Sequence, residues 1–259
     1  MTHSRREFLV SAAAAGTITM LPFQTSADGH AVHTFKATGG DIGIHPVGHA
    51  SFVMTTPKGT IYVDPVGETA AFSDKPTADL VLVTHRHGDH FNADVLKSLG
   101  DSPIVTNSDV QAMMDVDLAA RAKIVGHGGV YPWNGIEIEA IPAYNLDPAT
   151  KFHPKERGDN GYVLTMDDFR IYVSGDTEDI PEMRALKDID LAFVCMNLPF
   201  TMTDEAAASA VAEFKPKFVY PYHYRGRDGG TQDPKKFAEL VGDAAEVKLV
   251  DWYPGNDAI

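Results

Sequence analysis

Four potential metal ligands fall within six residues in the segment Leu80-Val-Leu-Val-Thr-His85-Arg-His87-Gly-Asp89-His90. The apolar run before them reads as a buried parallel strand, and α/β folds build their sites at strand ends. On a chain still extended, His85 and His87 project to the same side. Gly88 then permits a turn that aims Asp89 and His90 at a second point nearby. Imidazole and carboxylate donors without thiolate suit Zn, Mn or Fe. Two such ions about 3.5–4 Å apart can hold a hydroxide that attacks an ester, amide or phosphoester. The spacing therefore predicts two adjacent divalent ions serving hydrolysis.

The elements that must position these residues are legible in outline. Hydrophobic patterning predicts strands near 41–47, 50–56, 59–64, 79–84, 103–106, 122–125, 135–142, 161–167, 170–174, 190–196, 217–222 and 246–250. Helices fall between them. Asn92 caps one over Ala93 to Leu99 that Gly100 ends, and Thr203 caps another over Asp204 to Phe214 before Pro216 breaks it. Glu182 to Leu186 and Pro234 to Val241 complete the set. Strand clusters recur in both halves, each followed by strand–helix alternation, as a duplicated sandwich flanked by helices requires.

His85-x-His87-x-Asp89-His90 resembles the signature of the metallo-β-lactamase-fold superfamily of metal-dependent hydrolases. Further matching segments spread the resemblance over roughly residues 40–225: Gly48-His49-Ala-Ser-Phe, Ile61-Tyr-Val-Asp64-Pro65, Ile171-Tyr-Val-Ser-Gly175-Asp176-Thr177 and Tyr220-Pro-Tyr-His223-Tyr. Their wording is most similar to the branch containing the ascorbate-phosphate lactonase-like hydrolases. The resemblance implies an α/β fold, a single-domain αββα sandwich with the site along one edge, and further ligands at later strand ends. Asp176, after the strand that closes on Gly175, is placed to bridge both ions. His223, ending another strand, completes the second metal's set with Asp89 and His90. For the first metal, relatives usually carry a histidine after a Pro-Ala-aromatic turn, whereas here Ile141-Pro-Ala-Tyr144 is followed by Asn145. Either Asn145 donates its carbonyl oxygen, or His153 reaches in from the following loop, or water fills the position. Asp64 is expected to accept a proton from a ligand imidazole and His49 to orient a ligand or line the pocket. Tyr144, Asn197, Thr201, Tyr222, Tyr224 and Arg225 lie near site segments, and no substrate-binding code is readable among them.

The N-terminus carries a separate signal. Ser4-Arg5-Arg6-Glu7-Phe8-Leu9-Val10, a mildly apolar Ala-rich stretch to Phe23 and the small residues Thr25-Ser26-Ala27 resemble a twin-arginine export leader. Its apolar run is short of the roughly 20 residues a membrane span needs. The expectation is a leader over residues 1–31, cleaved near 27–31, a hydrolase domain over 32–259, export to the periplasm, and the twin-arginine machinery as the precursor's partner.

Composition narrows the partners. A net charge of −14 argues against nucleic acid or anionic lipid, though not against a small phosphorylated substrate held by metal. The single cysteine, Cys195, lies in an apolar run and reads as a buried, inert thiol. No Gly-x-Ser-x-Gly elbow, P-loop or HExxH motif is present. The expected function is hydrolysis of an ester, lactone or phosphoester of a small molecule by hydroxide generated at two ions, Zn first and Mn or Fe as alternatives, with Asp89 among the catalytic groups. The competing readings are a non-haem iron oxidoreductase on the same fold and a non-catalytic metal- or ligand-binding protein.

Overall fold

The computed structural model describes residues 33–225 and 232–253. The twin-arginine segment expected over residues 1–31 lies outside them.

The described residues run through fourteen strands in two sheets of seven. The first holds β1 (His33–Ala37), β2 (Gly40–Gly48), β3 (Ser51–Thr56), β4 (Gly59–Val63), β5 (Leu80–Leu82), β6 (Ile104–Thr106) and β7 (Ala122–Ile124), in chain order. The second holds β8 (Val130–Trp133), β9 (Ile136–Pro142), β10 (Asn160–Met166), β11 (Phe169–Val173), β12 (Leu191–Cys195), β13 (Phe218–Tyr222) and β14 (Glu246–Val247), also in chain order. Each sheet opens as an antiparallel meander of four strands, β1 to β4 and β8 to β11. Each then turns parallel, over β4 to β7 and β11 to β14. Parallel pairing needs crossovers, and those helices supply the outer layers.

Side-chain alternation sorts the layers. Phe52, Met54, Ile61, Val63, Leu80, Leu82 and Val105 of the first sheet join the core shared with the second sheet. Their neighbours Val53, Tyr62, Val81, Val83 and Ile104 face the other way. There they pack with Val95 and Leu96 of α1 (Ala93–Ser98), Val110 of α2 (Ser108–Gln111) and Leu118 of α3 (Val116–Arg121). The strands are apolar on both faces because both faces are covered. α4 (Pro181–Arg184), α5 (Asp204–Phe214) and α6 (Pro234–Val241) accompany the second sheet, where Ala207, Ala210, Val211, Phe214 and Phe237 are buried. The result is the expected αββα sandwich.

All twelve expected strands form. The capped helices also form, with Asn92 accepting from the backbone of Asp94 and Val95, and Thr203 from that of Ala206. Apart from three short 3-10 turns, two strands and two helices escaped the sequence reading. β1 directly follows, in sequence, the residues read as a leader. β8 is an exposed edge whose Pro132 speaks against a strand, and α2 and α3 are too short to show a period.

The sheets are stitched together where the parallel strands end. Asn160 N donates to Thr84 O at 3.0 Å, and the buried Tyr162 hydroxyl donates to Val83 O at 2.8 Å. Gly175 sits inside this seam at φ +58°, and a Cβ there would lie 2.7 Å from Asn160 O and 3.1 Å from Thr84 Cβ. Gly100 shares the left-handed conformation, at φ +75°, but a Cβ would meet nothing within 4 Å. Gly100→Ala is expected to cost about 1 kcal/mol of backbone strain. Gly175→Ala should cost about 1–3 kcal/mol more from overpacking. Denaturant midpoints of the two variants provide the comparison, and equal losses would contradict the seam.

Candidate metal centre

Because the parallel strands of both sheets run the same way within each half, their C-terminal ends deliver residues to one edge. Asp64 follows β4, His85 lies just beyond β5, Asp176 beyond β11, Asn197 beyond β12, and His223 directly after β13. The turn after His85 brings round His87, Asp89 and His90, closed by His90 N and Phe91 N donating to His87 O. A separate loop, between β9 and β10, delivers His153.

The donor atoms converge on two adjacent points. At the first, Nε2 of His85 lies 3.1 Å from Nδ1 of His87, and the His153 ring stands 4.9 Å and 4.8 Å from those two rings. Ligand atoms of these three residues all lie within 4.8 Å of one another. At the second, His223 Nε2 is 3.5 Å from Asp89 Oδ2. Asp176 spans the two. Its Oδ2 is 3.4 Å from His153 Nε2, while its Oδ1 is 3.4 Å from His90 Nε2 and 3.3 Å from His223 Nε2. The carboxylate thus offers one oxygen to each point.

A fit test comes from hydrogen bonding. Buried polar atoms ordinarily have partners. Yet His90 Nε2, His153 Nε2 and Asp176 Oδ1 are buried without a hydrogen bond. All three face the same small volume. Orphaned lone pairs directed inward from imidazole and carboxylate are what a divalent cation satisfies.

The outer partners of the imidazoles set which nitrogen faces inward. His90 Nδ1 donates to Asp64 Oδ2 at 2.7 Å, and His85 Nδ1 donates to Thr84 Oγ1 at 3.0 Å. Thr84 Oγ1 in turn donates to Asp64 Oδ2 at 2.7 Å, and Thr84 N to Asp64 Oδ1 at 2.7 Å. One buried carboxylate therefore orients two candidate ligands. His153 Nδ1 donates to Asp159 Oδ2 at 3.2 Å, and the guanidinium of Arg157 grips both oxygens of Asp159. Each ring thereby turns Nε2 inward, towards the other donors.

Asn145 does not face the first point. Its Nδ2 donates to Phe200 O at 2.8 Å and to Glu178 Oε1 at 3.1 Å, and its Oδ1 accepts from His153 N at 2.7 Å. The side chain is spent on holding the loop that carries His153, so the alternative of Asn145 as a metal donor has no geometric support. His49 comes closer than an outer role requires. Its Nε2 is 3.2 Å from Asp89 Oδ2 and its Nδ1 2.9 Å from the Tyr253 hydroxyl. It shares a donor set with Asp89 and His223, so it either orients Asp89 or joins the second point. Asn197 Nδ2 lies 3.3 Å from His223 Nε2, supported by Thr201. Tyr144 is engaged with Glu182 and Lys155, and Arg225 stacks over the Tyr253 ring. Tyr222 is fully buried and Tyr224 packs edge-on against Tyr253. Cys195 is buried, its thiol pushed up to about 12 by burial and by Asp176. Thr84, Arg157, Asp159 and Tyr253 were not singled out from the sequence. Only Thr84 carried a local signal, as a hydroxyl interrupting an apolar strand end.

The electrostatics follow from packing carboxylates and imidazoles into a nearly dry edge. Burial opposes charge on His90, but Asp176, Asp64 and Asp89 outweigh it and hold its pKa well above the usual value. Burial likewise opposes charge on His153 and His223. Hydrogen bonds to Asp159 and Asp176 raise the former, and Asp176 raises the latter. Burial and neighbouring positive imidazoles push His85 well down and His87 to about 4. Burial would raise Asp176, but His223 and His90 keep it far below the ordinary carboxylate range. The backbone is strained to match: His49, Asp64 and His223 all adopt left-handed conformations, at φ 55°, 42° and 47°.

A two-sheet sandwich with these donors at its parallel strand ends defines the class of metallo-β-lactamase-type, metal-dependent hydrolases. The chain belongs to that superfamily and, within it, to the UPF0173 metal-dependent hydrolases. Residues 43–223 match the family described as Beta-lactamase superfamily domain. A UPF0173 metal-dependent hydrolase of Thermococcus onnurineus is 34% identical over 214 residues, covering 79% of this chain and 94% of the relative. The crystal structure of a protein described as a metal-dependent hydrolase, from Parabacteroides distasonis, superposes with a TM-score of 0.74. It is 37% identical and covers 84% of this chain and 97% of that one. Igni18, a metallo hydrolase of Ignicoccus hospitalis, shares the fold with a TM-score of 0.69 at 21% identity, over 81% of this chain and 95% of its own.

Two expectations follow for metal uptake, both read by titration against a competing chelator. Asp64→Asn loses a carboxylate that orients two imidazoles, and affinity should drop about 10–100-fold. In the wild type, metal must displace protons from His90, His153 and His223, whose metal-free pKa values are raised. Affinity should therefore rise with pH across the neutral range, with proton release on binding. A pH-independent affinity would contradict the assignment of these rings as ligands.

Proposed function

We propose that the centre holds two divalent ions and hydrolyses a lactone, another carboxylic ester or a phosphoester of a small molecule. The observation that carries this reading is the split carboxylate of Asp176, with one oxygen turned to each donor group. In this reading His85, His87 and His153 hold one ion, Asp89, His90 and His223 the other, and Asp176 both. Zn suits the imidazole-rich set, with Mn or Fe as alternatives. Divalent ions so held supply Lewis acidity and a water acidic enough, with a pKa near about 7, to give hydroxide at neutral pH.

The protein's own residues do the rest. Asp64 and Thr84 keep the Nε2 atoms of His85 and His90 aimed inward, and Arg157 with Asp159 does the same for His153. Asp89 is the partly open carboxylate among the candidate ligands, its side chain about one-third accessible. Burial would raise its pKa, but His90 and hydrogen bonds from His223 and His49 hold it well below the ordinary range. Asp89 therefore stays ionised and orients a water by accepting its hydrogen, being too weak a base to keep the proton.

His87→Ala and Asp89→Ala should each lower metal content and reduce turnover of an ester, lactone and phosphodiester panel by at least 100-fold. Chelation should do the same to the wild type, with activity returning on adding metal. Full activity in the metal-stripped protein would refute the reading, and stoichiometric iron with redox turnover would favour an oxidoreductase instead.

We also propose that the precursor is exported by the twin-arginine route to the periplasm, on the strength of Arg5-Arg6 before Phe8-Leu9. Replacing both arginines with lysine should leave the full-length precursor in the cytoplasm in a fractionation assay. Normal processing of that variant would rule the route out.

A further inference from the structure

Eight large hydrophobic side chains stand exposed among the described residues, and three of them, Leu146, Phe152 and Leu198, lie in loops that frame the metal centre. Each is one residue from a group at or supporting the site: Leu146 follows Asn145, Phe152 precedes His153, and Leu198 follows Asn197. The other five are scattered, beside and on α3 (Met113, Val116), on β7 (Ile124), on β8 (Val130) and on α6 (Leu240). Scattered exposure is ordinary for a folded surface, whereas apolar groups gathered around convergent polar donors mark a ligand site.

The loops that carry them are tied together. Phe152 meets the half-buried Phe200 edge-on, with ring centroids 4.8 Å apart and planes at 80°. Asn145 joins the same loops by its bonds to Phe200 O and to His153 N and O. His87 and Asp89 are the partly open residues among the candidate ligands, so reacting groups enter on their side. The His153 ring stands 4.8 Å from that of His87, so the loop that carries Phe152 borders this opening.

We propose that Leu146, Phe152, Leu198 and Phe200 form an apolar subsite for the acyl or alkyl part of the substrate. The preferred substrate class is then an ester or lactone with an aliphatic or aromatic chain beside the scissile bond, rather than a sugar phosphate. This inference rests on the hydrolytic reading of the same centre.

The test measures binding rather than turnover. Acetate, butanoate and hexanoate are titrated into the metal-loaded protein by calorimetry. Each buried methylene strengthens binding about threefold to fourfold, so hexanoate should bind at least about tenfold tighter than acetate with only part of the chain buried. The Phe152→Ser, Leu198→Ser double variant should reduce that ratio below about threefold. Metal content and melting temperature check that it is folded, and Leu146→Ser alone provides a milder second variant with an intermediate ratio. A flat series in the wild type, or a steep one kept in both variants, overturns the subsite. If the ester panel is inert while the steep, variant-sensitive series holds, the hydrolytic reading fails and the subsite stands. If esters are cut but the series is flat, the reverse is true.

Discussion

The structure depends on keeping two buried carboxylates, Asp64 and Asp176, ionised at the shared edge of the two sheets. Asp64 is wholly buried and Asp176 nearly so. An isolated ionised carboxylate in such a place costs many kcal/mol unless it is paired. The protein meets this by bringing imidazoles and hydrogen-bond donors from both sheets to the same edge. Asp64 is answered by Thr84 and His90, and Asp176 by His90, His153 and His223. Left-handed backbone at His49, Asp64 and His223 is part of the same arrangement, since each of these residues directly follows a strand that delivers it to the edge. Strain of about 1–3 kcal/mol per residue is tolerated because the surrounding sheets are held by an extensive common core.

Much of the architecture was legible because it rests on short-range pattern. Apolar runs of four to seven residues ended by Asp, His or Asn marked the parallel strands, and side-chain caps marked the longer helices. Adjacency in sequence likewise made His85, His87, Asp89 and His90 readable as a group. What could not be read was anything set by the path of a loop. Asn145 and His153 are eight residues apart in a stretch with no period, and only the fold shows that one clamps the loop while the other faces the donors. Asp159, Arg157 and Tyr253 act from the outside of the cluster, where a carboxylate, a guanidinium or a phenol has no spacing rule to betray it. β8 and α3 were lost for the opposite reason: they bury too little to impose a pattern.

The chemistry also explains a choice of residue that looks weak in one dimension. Placing Asn at 145 removes an imidazole from one turn, and the structure supplies His153 from another, held by that same Asn. The amide suits the task, having both a donor and an acceptor to offer to three segments at once. A histidine there could not make the same set of bonds.

The two halves of the chain repeat one plan, four antiparallel strands followed by three parallel ones, and they meet only after β7. His85, His87, Asp89 and His90 come from the first half, and His153, Asp176 and His223 from the second. Neither half supplies all the candidate donors, so the donor groups form only when the two halves have docked in register. On the proposed reading, an ion held there would act as a clasp across a duplicated scaffold, drawing the two sheets together at the edge where their parallel strands end.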